Sequence, residues 1–219
     1  MSFSVVQSKG DFNNLGVSQS DTFTSSVTGG NAIVVFTAVR AAGNTIQSVT
    51  DNKGNTYTKL ASDNTNAGAE FWMATNVIGG SVTVTVTWNG SGNPGIGVAI
   101  FEVAGGVTTQ DVTAHTADGS GTNPSLGSIT TVTAGDICFA GIAYNTGLTG
   151  LTAGSGWTLT QGAGAGAEYQ VQASAGALTG NFGNTNSGTW SGVIIALRAG
   201  SGGGGGGSSN FVQVIWWGD

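Results

Sequence analysis

Two glutamates stand in matching settings, Ala69-Glu70-Phe71 and Ala167-Glu168-Tyr169. Glycoside hydrolysis needs a pair of carboxyl groups flanking one bond, about 5–9.5 Å apart. These two fall in different copies of an internal repeat described below, so each is expected to make a local contact within its own copy. A buried carboxylate needs a cationic partner, and Arg40 or Arg198 would be the natural candidates. His115 is the single histidine and Cys138 the single cysteine. A lone histidine without a second histidine or a cysteine pair supplies neither metal-ligand spacing nor a catalytic triad, and is expected on a solvent-facing strand. Cys138 aligns with Ile33 of the other copy, a core position where cysteine behaves as a small hydrophobe. The run Asp51-Asn52-Lys53-Gly54-Asn55, with Asp63 and Asn64, could offer oxygens to calcium. It is short, contains a lysine and lacks a closing glutamate, so a hairpin turn is the better reading. Trp72, Trp88, Trp157 and Trp190, with Tyr57 and Tyr169, could stack sugars, but aromatics on strands pack more often into cores and cross-strand pairs. No set of residues amounts to a catalytic, cofactor-binding or metal site. The chain is expected not to be an enzyme and to need no cofactor.

The elements that hold these residues are legible from composition. Charged residues make up 7% of the 219, against about 25% in ordinary soluble domains, while glycine contributes 40. Val, Ile, Phe and Trp recur in regular blocks, so this is a folding chain built of short strands and Gly/Asn turns. The net charge of −6 and five scattered basic residues exclude a phosphate-binding surface, so no nucleic-acid partner is expected. No window of eighteen consecutive apolar residues exists, and no membrane insertion by a helix is expected. Residues 1–9 lack a basic start and an apolar core, so they do not read as a signal peptide.

Four blocks recur in the same order. Thr28-Gly29-Gly30-Asn31-Ala32-Ile33-Val34-Val35-Phe36 aligns with Thr133-Ala134-Gly135-Asp136-Ile137-Cys138-Phe139-Ala140-Gly141. Gly54-Asn55-Thr56-Tyr57-Thr58 aligns with Gly154-Ser155-Gly156-Trp157-Thr158, and the two glutamate triplets follow. Gly97-Val98-Ala99-Ile100-Phe101-Glu102 aligns with Gly192-Val193-Ile194-Ile195-Ala196-Leu197. Each copy reads as seven or eight strands. The first is expected over 4–8, 22–28, 32–39, 46–50, 56–61, 70–76, 81–88 and 96–103. The second is expected over 109–116, 128–133, 137–144, 157–161, 168–173, 178–182 and 190–197. The near-continuous apolar runs predict central strands buried on both faces, whereas Val82-Thr83-Val84-Thr85-Val86-Thr87 alternates strictly and predicts one buried face. The fold class is therefore all-β, a duplicated antiparallel β-sandwich of jelly-roll or Ig-like type. The expected domains are 1–105, 106–200, and a terminal segment 201–219.

The segment from Ser48 through Asp51, Asn52, Lys53 and Gly54 to Tyr57, the Val/Thr strand at 81–87, and Ala167-Glu168-Tyr169-Gln170-Val171 resemble the β-sandwich repeats of phage virion proteins and bacterial cell-surface proteins. That resemblance implies a structural protein of a virion or an extracellular surface. It spans roughly residues 20 to 200 and leaves the C-terminus unexplained.

The C-terminus begins with Gly202 to Gly207, a run too permissive to pack, which reads as a tether. It leads to Phe211, Val212, Gln213, Val214, Ile215, Trp216 and Trp217, apolar on both faces of an extended strand apart from Gln213. A Gly/Ser linker with an appended peptide has the same composition; the reading adopted is a docking strand. Phe211, Val212, Val214, Ile215, Trp216 and Trp217 are the expected partner-docking residues. The expected partners are further copies of the chain or other virion or filament subunits, with a surface glycan as the alternative ligand for an adhesive module.

Overall fold

The computed structural model of the chain describes residues 3–13, 16–90, 94–145, 150–162, 165–184 and 186–199. Among these the chain forms strands and turns and no helix. In chain order the first half holds β1 (Ser4–Asn13), β2 (Ser18–Thr22), β3 (Ala32–Val39), β4 (Ile46–Asp51), β5 (Thr58–Asp63), β6 (Gly68–Ala74), β7 (Thr83–Trp88) and β8 (Ile96–Ala104). The second half holds β9 (Val107–Gln110), β10 (His115–Gly121), β11 (Ser125–Thr130), β12 (Asp136–Tyr144), β13 (Thr158–Gly162), β14 (Ala165–Gln172), β15 (Ala177–Asn181) and β16 (Gly188–Ala199).

The first half forms a five-stranded sheet, β1-β8-β3-β6-β5, backed by a three-stranded sheet, β2-β7-β4. The second repeats that order: β10-β16-β12-β14-β13, with β9 also on β16, backed by β11-β15. All the pairings are antiparallel, and the winding is that of a jelly roll with its fifth strand moved beside the sixth. Among the described residues β4 has no full counterpart; the second half has in its place a single bridge, Thr152 to Gly183.

The two large sheets pack face to face, so the described residues form four layers around three apolar cores. The central core takes Val34, Phe36, Phe71 and Phe101 from one half and Ile137, Phe139, Ile195 and Leu197 from the other. Each half also has an outer core beneath its small sheet, around Ile33, Val35, Val84 and Val86 in one and Cys138, Ala140, Ile142 and Ile194 in the other. This layering is the physical reason for the two sequence patterns. Every residue of β3 and of β12 is buried, because both faces of those strands meet a core. In β7 the outer layer leaves one face wet, so Val84, Val86 and Trp88 are buried while Thr83 and Thr85 pair their hydroxyls with Thr22 and Ser20 at 2.8 Å.

The central core is built on aromatic rings. Phe101 meets Phe139 edge-on at 5.1 Å between centroids, and Phe71 lies 5.0 Å from Phe36 and 6.1 Å from Phe139. Glycine makes room for one of these rings: a Cβ on Gly141 would stand 2.3 Å from the Phe36 ring of the opposite sheet. Polar staples close the rim of the same interface. The Ser191 hydroxyl accepts from the Asn66 amide at 3.0 Å, the Gln110 side chain donates to the Leu60 carbonyl at 3.2 Å, and Ser8 pairs with Thr160 at 2.9 Å.

Two expected strands differ. Residues 22–28 contribute only the end of β2 and a bridge from Val27 to Gly80, because β2 pairs with β7 four residues earlier than expected. The span 109–116 is broken between β9 and β10, where Asp111 turns out of the ladder. The repeat alignment also needs two register corrections. Phe36 opposes Phe71 as Phe139 opposes Tyr169, which makes Phe36 equivalent to Phe139 and Ile33 equivalent to Asp136. Cys138 therefore takes the place of Val35, not Ile33; a shift of two residues keeps the same face. Ala99 opposes Phe36 as Ile195 opposes Phe139, so Glu102 corresponds to Arg198 and not to Leu197. That single-residue error would have turned β16 inside out.

Candidate functional site

Glu70 and Glu168 are both buried, and on strands where Ala69, Phe71 and Ala167 face the central core they point the other way. They project toward opposite outer layers with both large sheets between them, so they do not flank one substrate. Each instead ties its sheet to the layer outside. Glu70 accepts the Ile46 amide at 3.0 Å, the Trp72 indole at 3.0 Å and the Lys59 ammonium at 2.8 Å. The cation is thus Lys59, two strand positions away in space, and neither Arg40 nor Arg198. Glu168 accepts the Gly154 amide at 2.8 Å, while its other oxygen is buried without a donor. With no cation beside it, burial pushes the Glu168 carboxyl up to about 8 against the pull of the Gly154 and Asn181 amides.

The Asp51 turn is closed by its own chain. The Asp51 carboxylate accepts the Lys53 and Asn55 amides at 2.9 and 3.1 Å, the Asn55 side chain at 2.8 Å and the Tyr57 hydroxyl at 2.9 Å, with Gly54 at φ +79°. Burial raises its pKa, but these four donors outweigh that and hold it below the usual range. Glu102 follows the same logic: Gln7, Thr28 and Asn31 donate at 2.7, 2.8 and 2.6 Å and outweigh its burial. Cys138 is buried in the outer core, and burial pushes its thiol up to about 12, far from nucleophilic readiness. Trp88, Trp157, Trp190 and Tyr57 are buried, so these four do not make an exposed stacking platform. Trp72 is half-buried, with the Lys59 ammonium 5.0 Å from its ring centre.

One concavity among the described residues is a shallow groove of about 850 Å³ where the large and small sheets of the second half part. Gln110, Asp111, Thr113 and His115 form one wall and Ser128, Ile129 and Thr130 the other. His115 is exposed, as expected, with Nδ1 2.8 Å from the Leu126 carbonyl. Its ring lies where a Cβ on Gly127 would stand, and Gly127 adopts φ +73°. The matching opening in the first half is closed by side chains: Lys9 bridges to Asp21 at 2.5 Å and Gln7 donates to the Ser25 carbonyl at 3.0 Å.

Beneath this groove lies a pair that sequence reasoning missed, Asp111 with Asp136. Asp136 opens an otherwise apolar strand at the position where the first half has Ile33. An acid in place of a core aliphatic is the signal that could have found it, and the misplaced register hid it. The expected docking residues Phe211, Val212, Val214, Ile215, Trp216 and Trp217 lie outside the described residues. No protein-family model, no curated protein and no solved structure matches the chain.

Proposed function

We propose that the protein is a non-enzymatic structural subunit that assembles with further copies of itself, or with other subunits, in a virion surface or an extracellular filament. The observation that carries this reading is the C-terminal sequence itself, in which a run of glycines precedes Phe211 to Trp217, a stretch apolar on both faces of an extended chain apart from Gln213. A segment with both faces apolar gains most by strand addition, in which backbone hydrogen bonds give affinity and alternate side chains fill pockets. The tether from Gly200 to Ser209 spans at most about 33–36 Å, enough to reach a subunit packed alongside. Each buried apolar side chain of the tail contributes about 1.5–3 kcal/mol before the cost of ordering. Stapled layers and a low charge density suit permanent contact, since few charges must be desolvated.

Removing residues 201–219 and measuring particle mass by light scattering tests this. The truncated protein is expected to stay folded and to lose its assembled form. An unchanged assembly state would overturn the proposal.

A further inference from the structure

Asp111 sits in the connector between β9 and β10 and lines the groove. Its amide donates to the Ala196 carbonyl at 2.9 Å, which anchors it to β16. Its carboxylate accepts the Val132 amide at 2.6 Å, the Thr133 amide at 3.3 Å and the Thr133 hydroxyl at 2.6 Å. One side chain thus clamps the turn before β12 to the groove wall. Asp136, at the start of β12, is 1% exposed, and neither of its oxygens meets an N–H or O–H donor. Its side-chain partner is the Asp111 carboxyl. Two carboxylates cannot hydrogen bond each other unless one carries a proton.

We propose that Asp111 and Asp136 share a proton and form a pH-sensitive latch holding the turn before β12 against the groove wall. Asp111, with three donors on it, keeps the negative charge; buried Asp136 keeps the proton and donates it. The groups around Asp136 do not replace that proton. Arg198 of β16, at the neighbouring register position, is exposed and does not reach a hydrogen bond with it. Cys138, two residues along β12 on the same face, holds a neutral thiol. Gln172, opposite on β14, is a neutral amide that accepts the Thr131 hydroxyl at 2.9 Å.

Burial first, and then the hydrogen bond and charge of Asp111, push Asp136 up to about 7 against the pull of Arg198, while Asp111 is held below the usual range. The folded pKa of Asp136 is raised, so the latch is fully closed below the ordinary carboxylate range and loses its hold progressively as pH rises from there through neutrality. Above that point a second negative charge sits beside Asp111 in a buried place, and the turn must move to solvate it.

The test uses the full chain labelled with carbon-13 at aspartate carboxyls. Asp136 is expected to titrate near neutral pH, and a titration in the ordinary carboxylate range would overturn the latch. Hydrogen exchange supplies the second arm. Opening returns Asp136 to its ordinary value of 3.8, so protection of the Val132 and Thr133 amides, corrected for intrinsic exchange, should fall by up to about tenfold per pH unit from the ordinary carboxylate range to about pH 7 and level off above it. The Val84 amide in β7 serves as reference for whole-molecule opening. Asp136→Asn places an N–H donor on Asp111 at every pH and should leave protection at Val132 and Thr133 flat. Flat protection in the unaltered protein, or the same fall in the variant, refutes the proposal; should the variant not fold, the carboxyl titration decides alone.

Discussion

Replacing Glu168 with glutamine makes the pH dependence of stability the readout of one buried acid. Glu168 has an ordinary value of 4.5 and is pushed up to about 8 in the folded chain, because burial removes water and outweighs the pull of the Gly154 and Asn181 amides. Its folded state holds a proton more tightly than the unfolded chain does. Its contribution is therefore complete below about pH 4.5 and is lost as pH rises, the loss ending a little above pH 8. That gap, at about 1.4 kcal/mol per pH unit, amounts to about 5 kcal/mol. Asp136 acts in the same sense, from 3.8 to about 7. Asp51, Glu102 and Asp111 act oppositely, since their lowered values take stability away as pH falls below the carboxylate range. A difference between two proteins isolates Glu168 from these. Urea unfolding followed by tryptophan fluorescence from pH 4.5 to 9 should show Glu168→Gln gaining on the unaltered chain by about 1.4 kcal/mol per pH unit until near pH 8. At acid pH the variant should be equal or slightly weaker, because an amide replaces a neutral carboxyl and brings one more donor to satisfy. A stability difference that does not change with pH would refute the reasoning.

Two other changes probe the packing. Gly141→Ala places a methyl against the Phe36 ring of the opposite sheet, 2.3 Å from its nearest carbon, and should destabilise the fold by about 1–3 kcal/mol in urea unfolding. The cost should shrink when Phe36 is made leucine in the same chain. Lys59→Met removes the cation from Glu70, whose side chain is 1% exposed, and should cost about 3–5 kcal/mol by thermal or urea unfolding. Adding Glu70→Gln should restore much of that loss, and a double variant no better than the single one would count against a buried ion pair.

How far the residues alone reach is clearest at β3, β7 and β12. Whether a strand is buried on one face or two is written in period two, a local property, and the unbroken run from Ala32 to Val39 and the alternation from Thr83 to Trp88 each predict the burial they have. The duplication, the all-β class and the turn at Asp51 are local in the same way. Glu70 and Glu168 were recognisable as a matched pair because the aromatic beside each repeats. What they touch was not, since Lys59 reaches Glu70 only through the pairing of β5 with β6.

Tertiary structure decided everything that depends on one strand's position relative to another. Low-complexity blocks of Gly, Ala, Val and Ile align almost equally well at neighbouring offsets, and only hydrogen-bonded partners fix which offset holds. That is why the residues alone match Ile33 to Cys138 rather than Asp136, and why the Asp111–Asp136 pair is not legible in them. The stacking of the two large sheets is likewise a matter of shape, in which Phe36 finds room on the opposite sheet because Gly141 has no side chain. Periodicity tells a strand how many faces to bury; complementary surfaces determine what it buries them against.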